Sequence, residues 1–154
     1  MVKIAIFELA GKEYGVNITQ IKQVIRMRKV TPVPEAAGFV EGVFALRGKV
    51  IPLINLRKKL GISSETLNKR NRIIVTEINN HIAGMVVDSV SDIISLQDES
   101  ISTPDSVLKE ARYLVGVTQI GKRIVLIVDM EKLMSDDLRS SVERIQSQVE
   151  IRKK

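Results

Sequence analysis

The sequence predicts a mainly β fold built from two copies of one small barrel unit. Short Val/Ile-rich runs broken by turn residues, two gapless internal alignments, and helical periods confined to short segments and the C-terminal tail predict it. The strand-like runs are Lys3 to Leu9, Glu13 to Ile18, Phe39 to Leu46, Lys49 to Leu56, Arg72 to Ile78, Ile82 to Asp88, Leu114 to Ile120 and Lys122 to Asp129. Each is rich in β-branched residues and bounded by Gly, Asn or Pro. Gly11-Lys12, Asn79-Asn80 and Gly121-Lys122 suit hairpin turns, because Gly and Asn tolerate positive φ. Pro32 and Pro34 keep their stretch extended and at an edge, since proline cannot donate to a ladder.

The duplication is read from register. Residues 42 to 60 (GVFALRGKVIPLINLRKKL) align without a gap with residues 116 to 134 (GVTQIGKRIVLIVDMEKLM), at an offset of 116 − 42 = 74. Upstream, residues 13 to 25 align with residues 82 to 94, pairing Gly15 with Gly84, Ile21 with Val90 and Val24 with Ile93, at an offset of 84 − 15 = 69. The second copy therefore carries 74 − 69 = 5 extra residues between the blocks. A unit of roughly 60 to 70 residues fits a small barrel but is marginal alone, so the two units are expected to share apolar surface along a seam. The expected division places a first barrel at roughly residues 15–70, with residues 1–14 and 71–134 forming the second barrel or shared strands.

Helices are expected to be few. Ile21, Val24 and Ile25 fall at i, i+3 and i+4, which predicts one or two helical turns over Thr19 to Arg26. Val90, Ile93 and Ile94 repeat the pattern over Asp88 to Ile94, and a short helix is expected within Ser102 to Arg112. In residues 135–154, Leu138, Val142, Ile145 and Val149 form one apolar stripe behind the capping segment Ser135-Asp136-Asp137, predicting an amphipathic C-terminal helix.

Composition narrows function. The 154 residues are 44% hydrophobic, enough for one body, and contain no cysteine, which excludes disulfides, thiolate metal sites and cysteine nucleophiles. No run reaches the ~20 apolar residues of a membrane span, and no signal-peptide pattern opens the chain, so a soluble cytoplasmic protein without membrane insertion is expected. The net charge of +6 comes from scattered clusters, Arg26, Arg28 and Lys29, Lys58 and Lys59, and Lys69, Arg70 and Arg72. Nucleic-acid binding by a small barrel is the alternative that such charge raises. It calls for stacking aromatics, and the chain has no Trp, two Tyr and three Phe, so solvated faces explain the clusters better.

Catalytic constellations are missing. The single histidine, His81, adjoins a turn; neither a nucleophile elbow nor a phosphate loop occurs; and carboxylate pairs such as Asp98-Glu99 lie in polar connecting segments. No enzyme activity, metal or cofactor is expected. Leu46-Arg47-Gly48-Lys49 joins two apolar strands, and the residue aligned with Arg47 in the second copy is Gly121. An arginine in only one of two equivalent turns is not needed to build the turn, although arginine is also common at turns.

These stretches resemble the CheW family of chemotaxis coupling proteins. The resemblance runs from about residue 4 to residue 134, on YGV, TPVP, G-V-x-x-LRG-x-VIP, LR and G-x-VVD-x-V in that order. It implies two packed SH3-like five-stranded barrels with short helices and a C-terminal helix. It also implies a non-enzymatic adaptor between the cytoplasmic hairpin of chemoreceptors (methyl-accepting chemotaxis proteins) and the regulatory domain of the histidine kinase CheA, in arrays at the membrane. Receptor binding in the family uses the groove between barrels, and the matching positions are Ile21, Gln23, Gly42, Arg47, Gly84, Val90 and Ile93. The apolar ones fit a groove or a barrel core equally well. Kinase-contacting residues are not assigned. Asn55 stands where the family usually has Asp, Gln23 where it often has Glu, and Phe44-Ala45 replaces a more usual small aliphatic and Asn pair.

Overall fold

Alternating β-branched residues and tight two-residue turns set most of the architecture. In this computed structural model, residues 1–63, 66–103 and 112–134 are described. The strands are β1 (Val2–Leu9), β2 (Lys12–Asn17), β3 (Gln23–Arg26), β4 (Val40–Leu46), β5 (Lys49–Asn55), β6 (Arg72–Ile78), β7 (His81–Val87), β8 (Ser89–Leu96), β9 (Leu114–Ile120) and β10 (Arg123–Val128). One-turn helices α1 (Leu56–Lys59) and α2 (Met130–Leu133) follow β5 and β10, and 3-10 turns occupy Ile18–Gln20 and Asp98–Ser100. All eight expected strands form, with ends within one residue.

Two expected helices are strands instead. The segment read as helical over Thr19 to Arg26 is a 3-10 turn followed by β3, and the segment over Asp88 to Ile94 lies in β8. Three apolar residues in eight fit i, i+3, i+4 by chance as readily as by helix. The β-branched pairs Val24-Ile25 and Ile93-Ile94 suit an edge strand that turns one side chain inward and the next outward. The first hairpin turn is Ala10-Gly11, with Leu9 facing Lys12, one residue before the expected pair. The segment expected as a short helix within Ser102 to Arg112 falls mostly outside the described residues, and the C-terminal helix at 135–154 lies wholly outside them.

The two sheets exchange strands. One has the order β8-β1-β2-β10-β9 and the other β3-β6-β7-β5-β4. Replacing every strand by its counterpart five strands on, or back, converts one order into the other. Registers obey the same rule: Val24 faces Ile74 as Ile93 faces Ala5, and Leu53 faces Gly84 as Ile127 faces Gly15. Each barrel thus combines three strands of one copy with a two-strand hairpin, β1–β2 or β6–β7, of the other. The sheets divide the chain at residues 18–22 and at Asp88, not at 14 and 70, because β6 and β7 close the barrel that contains β3 to β5.

Three apolar clusters follow from this exchange. Ile4, Ile6, Val125 and Ile127 fill one barrel, while Phe44, Leu46, Ile51, Leu53, Ile73, Val75, Ile82 and Val86 fill the other. The largest cluster lies between them, joining Ala5, Phe7, Tyr14 and Val16 of one sheet to Ile54, Ile74, Met85 and Val87 of the other. Phe7 and Tyr14 stack there with ring centroids 5.6 Å apart. Burial on this scale couples the two barrels, as neither outer sheet face could remain exposed without a large apolar patch.

Candidate interface at the seam

The seam site begins where the chain crosses between barrels. After each crossover the counterparts Ile21 and Val90 pack against the central cluster and remain partly exposed. Three residues further along each strand stand Val24 and Ile93. Both lie opposite residues of the central cluster, Ile74 and Ala5, so both share the inter-barrel face of their sheets. They are exposed large apolar residues, with 40% and 66% of their surface accessible. Ile21 and Val90 are thus partly buried, and Val24 and Ile93 exposed, at matched positions of the two copies beside the central cluster.

Gln23 does not share that face. It pairs with Val75, a residue of the barrel interior, and period-two alternation turns it to the face opposite Val24. The site read by resemblance named Gln23; the groove-facing neighbour is Val24, which the repeat alignment with Ile93 had marked.

Gly42 and Gly84 are also interior. Gly84 is buried, and a Cβ there would come within 2.7 Å of Ile73 Cγ2 and 2.8 Å of the Phe44 ring. Gly15 repeats this against Ile4 Cδ1, at 2.8 Å. The larger ring at Phe44 occupies barrel volume beside Gly84. Gly42 has φ +147° at a β-bulge, and a Cβ would lie 2.2 Å from the Thr31 carbonyl oxygen. That close approach lets Thr31 and Val43 exchange two backbone hydrogen bonds of 2.8 Å, closing the barrel edge. These glycines shape the walls behind the seam and present no side chain to a partner.

Arg47 sits elsewhere, at the tip of the β4–β5 hairpin. It is exposed, has φ +50°, and pairs with no acidic residue among those described. Its neighbour Lys49 is close enough to Glu77 for its charge to help hold that carboxyl below the ordinary range, chiefly through the Lys22–Glu77 pair at 2.9 Å. The Arg47 tip therefore projects at the end of the barrel where Lys22, Glu77, Asn79 and Asn80 surround an open cleft of about 420 Å³ beside Ile21.

Polar contacts fix the crossovers. Arg57 grips Asp88 through both carboxylate oxygens, with Nε to Oδ1 at 2.8 Å, and the Ala10 N–H donates to Asp88 Oδ2 at 2.9 Å. Burial pushes the Asp88 carboxyl up, but the Arg57 and Ala10 hydrogen bonds outweigh it and leave it below the usual value. Gln20 is the matching device on the other crossover: its amide donates to Asp129 Oδ1 at 2.8 Å and accepts from the Met130 N–H at 2.9 Å, while Thr76 Oγ1 donates to its carbonyl at 2.7 Å. Asn55, buried, caps α1 through Oδ1 and donates from Nδ2 to Glu41 Oε1 at 2.9 Å. Arg57 pairs with Asp88 and not with position 55, so the change from Asp to Asn leaves that ion pair intact.

Two barrels that exchange hairpins across a shared apolar core define the class of protein to which the fold belongs. The chain belongs to the CheW-like domain family, whose model matches residues 3–138. It is 33% identical to the chemotaxis protein CheW of Klebsiella aerogenes over 91% of this chain and 86% of that one. It is also 33% identical to CheW of Bacillus subtilis, covering 90% of each. The crystal structure of the scaffolding protein TtCheW from Thermoanaerobacter tengcongensis superposes with a TM-score of 0.82 at 33% identity, over 89% of this chain and 94% of that one. The mainly β architecture of two SH3-like barrels is that of this family.

Proposed function

We propose that this chain is a chemotaxis adaptor that couples the cytoplasmic hairpin of chemoreceptors to the regulatory domain of the histidine kinase CheA. The seam supports this reading. An exposed Val24 and Ile93 above a floor of Ile21 and Val90 suits the apolar stripe of a helix. Arg47 acts as an anchor beside it. Its left-handed backbone belongs to the two-residue turn, as at Ala10 in the β1–β2 hairpin, and its side chain stands exposed at the tip.

The role needs no chemistry from the chain. Holding receptor and kinase in a fixed relation through weak interfaces suffices, because many contacts in an array act together through effective concentration. None of the described helices is long and apolar enough to cross a membrane, so recruitment to receptor arrays would run through protein contacts. Reconstitution tests it: receptor-containing membranes, the kinase and this protein should yield receptor-stimulated kinase activity, and Arg47→Ala should lower it. Full stimulation without this protein, or undiminished coupling by Arg47→Ala, would overturn the respective parts.

A further inference from the structure

The apolar trough proposed above has two-fold symmetry and cannot by itself tell one direction of a bound helix from the other, yet its two ends differ in charge. β3 continues from Val24 to Arg26 on the same inter-barrel face, and Arg26 stands directly opposite Arg72 in the antiparallel ladder. Like charges facing each other across a ladder oppose pairing. Arg28 and Lys29 follow from one side and Lys69 and Arg70 from the other, all exposed, so two clusters far apart in sequence meet at one end. None of these six pairs with an acidic residue among those described.

The counterpart end is different. Arg26 corresponds to Ser95, Arg28 to Gln97 and Lys29 to Asp98 by the offset of 69, and Ser95 lies opposite Lys3, the counterpart of Arg72. Asp98 there lies 3.9 Å from the amino terminus, and Glu99 follows it in the chain. The repeat therefore keeps the apolar walls alike and makes the ends electrostatically unequal.

We infer that the Arg26–Arg72 end of the trough receives acidic side chains of the bound helix and so fixes the direction in which that helix lies. This rests on the seam being the helix site, as proposed above. An acidic polypeptide fits better than nucleic acid, because the cluster adjoins the apolar wall at Val24 and none of its six residues is aromatic, leaving no face for base stacking. Electrostatic complementarity of this kind sets register and suppresses wrong pairings.

The test uses two synthetic amphipathic helical peptides with apolar residues at i, i+3, i+4 and i+7. Each carries a block of glutamates at one terminus and a nitroxide at the other, and the two have opposite polarity. With the native protein, both labels should broaden the Ile93 methyl signals and spare those of Val24. The triple variant Arg26→Gln, Arg28→Gln, Lys29→Gln should broaden both and bind about tenfold more weakly at low salt. A control, Lys12→Gln, Lys122→Gln, Lys132→Gln, has the same net charge of 6 − 3 = +3 and should behave as native. Equal broadening in the native protein, or equal loss in the control, would overturn the inference. So would an oligonucleotide that outcompetes the peptides and loses affinity in the triple variant. Peptides that bind without perturbing Val24 or Ile93 would instead refute the seam as a helix site.

Discussion

Arg47 and Gly121 are aligned at the first position of their two-residue hairpin turns, and both have positive φ, of +50° and +62°. Glycine adopts this backbone without strain, while an arginine pays about 1 kcal/mol for its Cβ. Arg47→Gly is therefore expected to raise unfolding stability by about 1 kcal/mol in urea denaturation, and in the same preparation to reduce receptor-stimulated kinase activity. A variant that is more stable and less active separates anchor from turn. One that gains stability and keeps full coupling would remove Arg47 from the interface.

The two interior glycines should differ in tolerance. Gly15→Ala presses on Ile4 Cδ1, the end of a flexible side chain, whereas Gly84→Ala presses on Ile73 Cγ2 and the edge of the Phe44 ring. Overpacking costs about 1–3 kcal/mol, with Gly84→Ala at the upper end and Gly15→Ala at the lower. Adding Ile4→Val, which deletes Cδ1, should restore much of the Gly15→Ala loss. Thermal unfolding of the three variants checks the ranking.

Asp88 makes part of the acid sensitivity. Its carboxyl is held below the ordinary 3.8 in the folded state, so its stabilisation is present above that value and is lost as pH falls through the lower folded-state value. Arg57→Gln should cost about 2 kcal/mol near neutral pH and flatten the loss of stability between about pH 5 and pH 2, measured by urea unfolding across that range. An unchanged acid profile would assign the sensitivity to other carboxylates.

Asn55 illustrates a position tuned to its neighbour. Its amide N–H reaches Glu41, whose carboxyl burial raises but whose contacts with Lys58 and Asn55 together lower below the usual range. Asn55→Asp keeps the α1 cap acceptor, removes the donor and sets two carboxylates face to face. A loss of about 1–2 kcal/mol at neutral pH is expected, shrinking on acidification and largely recovered by Glu41→Gln. Equal stability of Asn55→Asp and the native protein would contradict this.

Much of this was legible in sequence because it is local. Val/Ile runs and turn residues marked eight strands, and the register of Gly15 with Gly84 and Val24 with Ile93 marked the duplication. The strand exchange was not legible, since the pattern of Gln23–Arg26 and Ser89–Leu96 says which residues face inward but not which barrel receives them. The same brevity made both segments resemble helix. For the site, Ile21, Val90 and Ile93 lie at the seam, whereas Gly42 and Gly84 proved to be backbone packing positions and Gln23 faces away. Nothing in a single sequence tells a glycine kept for a contact from one kept because a Cβ would strike Thr31 or Phe44. The convergence of Arg26 with Arg72 likewise needed the β3–β6 pairing.

On the proposed function, the exposed apolar residues Val24 and Ile93 on opposite barrels hold a receptor helix. The most direct measurement is the affinity of a receptor cytoplasmic fragment for Val24→Ser, Ile93→Ser and the double variant, with binding to the kinase regulatory domain and thermal stability as controls. Each single change is expected to weaken receptor binding about tenfold and the double change further, with both controls near native. Receptor affinity unchanged in the folded double variant would contradict it.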